Sequence, residues 1–124
     1  MRAIVSGLLA ACVTGATALP ATLSAQEEVE QLESECAAGK AQACVELGDR
    51  HTSDVPLTEE DWRRAASFYE QGCNLGRGNL CFSLALMYDL GFNRWVTKDT
   101  VRANELFKQG CLLDYERACE LIRR

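Results

Sequence analysis

Apolar residues recur along the chain with the spacing of helix faces. Ala65, Phe68, Tyr69, Gly72 and Cys73 fall at i, i+3, i+4, i+7 and i+8, and Ala103, Leu106, Phe107, Gly110 and Cys111 repeat that spacing. After each of these stripes comes a second one: Leu80, Leu84, Met87 and Tyr88 in one case, Ala118 and Ile122 in the other. An earlier pair of segments answers them less strongly, with Glu28, Gln31, Leu32, Glu35 and Cys36 followed by Ala43, Leu47, Arg50 and His51. The pattern predicts three helix pairs. The polarity of the first stripe is what a terminal repeat requires, since nothing stacks on its outer side.

Two connections separate the pairs, one with Asp54, Val55 and Pro56, the other with Gly91, Phe92 and Asn93. Each runs into a helix start. Thr58 precedes Glu59, Glu60 and Asp61, where a hydroxyl caps the helix and carboxylates meet its positive end, and Thr97 with Asp99 is read the same way. These acids are therefore helix-start residues rather than a catalytic pair. The run Glu27, Glu28, Glu30, Glu33 and Glu35 is a solvated acidic helix, and it matches no calcium-loop pattern.

Cysteine spacing fixes the period. Six of the seven cysteines form the couples Cys36 and Cys44, Cys73 and Cys81, and Cys111 and Cys119, each separated by eight residues, and the couples recur at intervals of 37 and 38. Such a period marks a repeat architecture. Six cysteines permit about 15 pairings, but if each repeat is one structural unit, the pairing most consistent with the period lies within each couple. On one continuous helix such residues would stand about 12 Å apart, beyond the ~7 Å reach of a disulfide, so the chain must reverse between them. Gly39 and Gly76 stand three residues after the first cysteine, where a helix can end on a left-handed residue, and Asp114 tolerates a similar turn. Each bond would add roughly 2 to 3 kcal/mol by closing a short loop, which matters in a small domain. Zinc pairs are usually spaced C-x2-4-C and a redox pair C-x-x-C. Neither spacing occurs in these couples, and one histidine cannot complete a metal shell, so no metal and no cofactor is expected.

Residues 1–25 stand apart from this pattern. Arg2 is the only charge before Glu27, and an apolar, Ala-, Gly- and Thr-rich stretch from Ala3 to Leu19 leads to Pro20 and a small-residue patch ending at Ala25. This reads as a signal peptide, with Ala25 the principal cut and Ala18 or Ser24 the alternatives. Leu9-Ala10-Ala11-Cys12 also fits a lipoprotein signal, which would acylate Cys12 and give a lipid-anchored envelope protein. The domain is then residues 26–124, with repeats at about 27–62, 63–100 and 101–124, and it is periplasmic or secreted. Contact with a membrane is expected only if Cys12 is lipidated.

The 124 residues are 48% hydrophobic and 25% charged, the balance of one globular domain, and the net charge of -5 argues against nucleic acid as a partner. Removal of Arg2 with the leader makes the exported domain one unit more acidic.

Taken together, Ala65-x-x-Phe68-Tyr69, Cys73-x-x-Gly76, Leu80-Cys81-x-x-Leu84-Ala85-x-Met87-Tyr88, Gly91 and Val96-x-Lys98-Asp99-x-x-x-Ala103-x-x-Leu106-Phe107 resemble Sel-one-like repeats, the SLR relatives of tetratricopeptide solenoids. The resemblance covers nearly all of residues 27–124 and is closest to the cysteine-rich secreted bacterial branch. Gly48 and His51 depart from it, standing where Ala85 and Tyr88 stand in the second repeat. It implies an all-α fold, a right-handed α-solenoid of two to three disulfide-stapled helix-turn-helix repeats, whose usual work is to hold a protein or cell-envelope component. Some members of the branch are described as penicillin-binding or β-lactam-hydrolysing, which makes that activity the alternative. No Ser-x-x-K follows Ser34, Ser53, Ser67 or Ser83, so the familiar serine nucleophile lacks its activator. His51 is read as a half-buried residue rather than a general base.

The expectation is therefore a non-catalytic interaction module. Its candidate contact residues are Arg63, Arg64, Ser67 and Glu70 on one first helix, Asn104, Glu105 and Lys108 on the next, and Trp95 in a connection. Trp62, one repeat ahead of Val101, is expected to pack inward. The short last helix leaves an open repeat end through which a second copy could dock as a homo-oligomer.

Overall fold

The computed structural model describes residues 22–53, 58–91 and 97–122, and among these residues it has six α-helices and no strand. Helices α1 (Ala25–Ala37) and α2 (Ala41–Ser53) form the first hairpin, α3 (Glu59–Asn74) and α4 (Gly78–Leu90) the second, and α5 (Thr100–Leu112) and α6 (Glu116–Ile122) the third. The fold is all-α, built from three disulfide-stapled helical hairpins. Cys12 and most of the leader, Asp54 to Pro56, Phe92, Asn93 and Trp95 lie outside the described residues. No helix among those described is long and apolar enough to cross a membrane.

The helix starts follow from side-chain capping. Ser24 opens α1 and Thr58 opens α3, each in a reciprocal capping box with the residue three positions on, Glu27 and Asp61. The Asp61 carboxyl is held below its ordinary value of 3.8, first by the Thr58 hydroxyl, then by the Thr58 backbone, with His51 contributing less. At α5 the cap is one that the sequence pattern misassigned. Asp99, not Thr97, is the capping residue, and its carboxylate accepts the Arg102 N–H at 2.9 Å. Its own N–H donates to the Tyr88 carbonyl at 2.9 Å, which pins the backbone at Asp99 and starts the helix there.

All three hairpins turn in the same way. Gly39 and Gly76 adopt φ of 99° and 97°, and Asp114 takes the same place at 63°. The residue after each turn donates back to the carbonyl just before the first cysteine: Lys40 to Glu35, Arg77 to Gly72, and Tyr115 to Gly110, each at 3.0 Å. This double-bonded helix end satisfies carbonyls that would otherwise be orphaned and reverses the chain. The reversal brings the paired cysteines to Cα separations of 4.9, 4.6 and 4.7 Å, and the bonds are Cys36–Cys44, Cys73–Cys81 and Cys111–Cys119.

Stacking of one hairpin on the next depends on glycine. A Cβ at Gly72 would lie 3.3 Å from the Cβ of Cys44 and overlap Leu80, and a Cβ at Gly110 would lie 3.4 Å from the Cβ of Cys81 and 3.1 Å from that of Ala118. Each glycine thus lets a first helix pack tightly on the second helix of its own hairpin while it lies against the disulfide of the preceding one. At the equivalent position in α1 stands Glu35, which has no preceding hairpin to approach among the described residues. A matching contact joins the turns, since a Cβ at Gly78 would meet Tyr115, Leu113 and the Gly110 carbonyl within 3.2 Å. Its counterpart in the last hairpin is the exposed Glu116. Gly48 has a separate reason, because the Tyr69 ring occupies the space a Cβ would need. The Tyr69 hydroxyl donates to Asp49 at 3.2 Å and lies 3.4 Å from that of Thr52, and burial pushes its pKa up.

The apolar stripes form one core, with Leu47, Ala65, Leu80, Leu84, Ala85, Ala103, Leu106 and Ala118 at most 2% exposed. Trp62 is buried as expected, but Val101 is 71% exposed. The two are not equivalent: Ala65 aligns with Ala103, which sets Trp62 opposite Thr100 at the very start of α5, and Val101 turns outward.

Gly72→Ala is expected to cost about 1–3 kcal/mol through overpacking, whereas Glu35→Ala should shift stability by under about 0.5 kcal/mol. Urea unfolding of the oxidised protein measures both, and equal effects would contradict the stacking role of Gly72.

Candidate functional site

Between α3, α4 and the segment entering α5 lies a cleft of about 530 Å³. Its floor is apolar, made by Leu84, Met87 and Trp62, which are buried, with the half-buried Ala66 and Tyr88. The α3 contributors Trp62, Arg63, Ala66, Ser67 and Glu70 recur at helical spacing on a stripe beside the core face, and Leu84, Met87 and Tyr88 answer from α4. Thr97, Lys98 and Asp99 form the third wall. Gly91 makes that wall possible, ending α4 at a left-handed φ of 57° and approaching Lys98 so closely that a Cβ would lie 3.0 Å from the Lys98 Cβ.

Most rim charges are already committed. Arg63 pairs with Glu59, Glu70 pairs with Arg102 at 3.2 Å, and the Asp99 carboxylate caps α5. The Ser67 hydroxyl accepts from the Gln71 amide at 3.5 Å, a partner unable to serve as a general base. Lys98 is exposed and enters no ion pair among the described residues. The cleft therefore offers a greasy floor, an uncommitted ammonium, and polar groups on two sides. That combination suits recognition of an apolar side chain with a nearby carboxylate.

Of the surface residues singled out by sequence, Arg63, Ser67 and Glu70 converge on this cleft. Arg64 does not, because it is drawn to Glu60 at 2.6 Å and Glu33 at 4.0 Å, on the side of α3 that faces the first hairpin. Glu105 joins indirectly, sharing Arg102 with Glu70 at 3.3 Å. Asn104 lines a different depression with Asp89, Thr100, Phe107 and Leu121, and Lys108 is exposed on α5. Trp95 lies outside the described residues. Sequence reasoning missed Trp62, Leu84, Met87, Tyr88 and Lys98 as cleft residues. The first four carry the periodicity of core positions, and nothing in that periodicity says that one edge of the core is left open.

His51 is half-buried, stacked on Phe68 at 5.8 Å between ring centroids, with Nδ1 3.4 Å from Asp61. It joins α2 to α3 rather than lining the cleft. Among the described residues no group of three His, Cys, Asp or Glu could hold a metal ion. No family model matches the chain, and no curated protein matches it.

Arg63→Ala and Lys98→Ala should each leave stability within about 0.5 kcal/mol, because both side chains are at the surface, whereas Met87→Ala should cost about 2–5 kcal/mol. Urea midpoints check this, and a large loss in Lys98→Ala would contradict its place on an open rim.

Proposed function

We propose that this chain is an exported interaction module of the Sel-one-like type, which holds a protein or cell-envelope component in the α3–α4 cleft and performs no chemistry on it. The convergence of Arg63, Ser67 and Glu70 over a buried apolar floor carries this reading. A ligand side chain seated on Trp62, Leu84 and Met87 would gain from leaving water, and Lys98 would select its orientation.

Three disulfides support an oxidising compartment, since such bonds persist outside the cytosol and are rare within it. Secretion or a periplasmic location, through a leader ending near Ala25 or through acylation at Cys12, is the form of export that fits. Ser24 caps α1, so a cut at Ala18 would retain the cap, whereas one after Ala25 would remove it.

The lateral cleft is favoured over end-to-end assembly as the place of binding. At the outer face of the first hairpin stand Glu28 and Glu35, and at that of the last stand Glu116 and Glu120. Head-to-tail docking of two copies would set charged groups, Glu28 with its partner Arg50 and Glu35 with its partner Lys40 among them, at the positions where the inner hairpins bring glycine and apolar groups together.

A photo-reactive residue in place of Ser67 tests the proposal in cells. The expected result is one discrete adduct in the envelope fraction, absent when the probe replaces Glu46 and lost on addition of Lys98→Glu. The same adducts at both positions, or none at Ser67 in exported protein, would overturn it.

A further inference from the structure

The three disulfides differ in what covers them. Cys36, Cys44, Cys73 and Cys81 are at most 2% exposed, whereas Cys111 and Cys119 are both half-buried. The difference follows from the stacking. α3 closes over Cys44 through Gly72, and α5 closes over Cys81 through Gly110, but among the described residues no further helix lies beyond α6. A thiolate must reach a sulfur to exchange with it, and of the three pairs the last is the one whose residues both come partly to the surface.

The helix which that bond retains is also the least able to stand alone. α6 has seven residues, too few for an isolated helix, and only Ala118 of them is fully buried. Its remaining attachments are edge contacts: Tyr115, just before the helix, meets the Phe82 ring at 5.3 Å, Arg117 lies over the same ring at 5.2 Å, and Leu121 and Ile122 pack partly against the core. It packs chiefly on α5 of its own hairpin and meets the second hairpin only along the edge of α4.

We infer that Cys111–Cys119 is a thiol–disulfide exchange site, opened by a dithiol reductant, and that its opening releases α6 while the first two hairpins stay folded. One thiolate of the donor attacks a sulfur of the bond, forming a mixed disulfide and freeing the other cysteine, which takes up a proton. The second donor thiolate then breaks the mixed bond. Two electrons pass to the cysteine pair, which ends as two thiols, and the donor ends as its own disulfide. Release of α6 uncovers Gly110, Phe82 and Phe107, an apolar surface that the oxidised protein keeps covered.

Native protein treated with limiting dithiothreitol, trapped with iodoacetamide and mapped by mass spectrometry tests the site. Labelling of Cys111 and Cys119 is expected at least about tenfold faster than of the other four. Amide exchange of the partly reduced species should rise across residues 116–122 and stay unchanged across 25–53. Simultaneous reduction of all three bonds, or earlier reduction of another pair, would overturn the inference. A Cys111→Ser, Cys119→Ser double variant gives a second reading: its first two hairpins should keep their exchange protection, and loss of that protection would equally overturn it.

Discussion

The contact on which the rest of the structure depends is that between a glycine on one hairpin and the disulfide of the hairpin before it. Gly72 fits between Leu80 of its own hairpin and Cys44 of the one before, and Gly110 between Ala118 and the Gly78 carbonyl, with Cys81 beside it, so both stand where a hairpin closes on itself and on its neighbour. That closure in turn determines which side chains are buried. A disulfide holds each turn shut and makes its surface nearly rigid, so the neighbouring helix must fit it rather than deform it. A glycine gives up helix propensity, roughly 1 kcal/mol relative to alanine, and the close packing it permits offsets that loss. In a domain this small, where one core has little surplus to spare, the staple and the fit work together.

The ends of the array obey the same rule in reverse. Where the described residues place no neighbouring hairpin, the positions equivalent to the stacking glycines are acids: Glu35 on the first hairpin, matching Gly72, and Glu116 on the last, matching Gly78. Glu35 pairs with Lys40 and Glu116 is exposed, so both positions are polar where the inner hairpins carry glycine. What remains available for binding is the side of the array, where Thr97, Lys98 and Asp99 wall a cleft over Trp62, Leu84 and Met87.

Much of this was legible in the chain. The i, i+3, i+4 stripes gave the helices, the period of the eight-residue cysteine couples gave the pairing, and the pairing gave the reversal, because geometry forbids the bond on a straight helix. Gly39, Gly76 and Asp114 marked the turns for the same reason. Thr97 and Val101 were misplaced because both lie where the third hairpin begins. Its start is fixed by a tertiary hydrogen bond, Asp99 to Tyr88, that no local pattern encodes. The candidate site was only partly legible. Exposed polar residues on a first helix can be found from periodicity, which yields Arg63, Ser67 and Glu70, but that Arg64 turns to Glu60 one turn back and toward Glu33 of another hairpin, away from the cleft, depends on how the hairpins pack. Nor does periodicity distinguish a sealed core edge from one left open, so Met87 and Leu84 read as ordinary core.

Non-reducing proteolysis of the native protein, with the disulfide-linked peptides identified by mass, tests the central claim most directly. The account predicts three linkages, Cys36 with Cys44, Cys73 with Cys81, and Cys111 with Cys119, each within one hairpin. A bond between cysteines of different hairpins, or free thiols among these six, would contradict it.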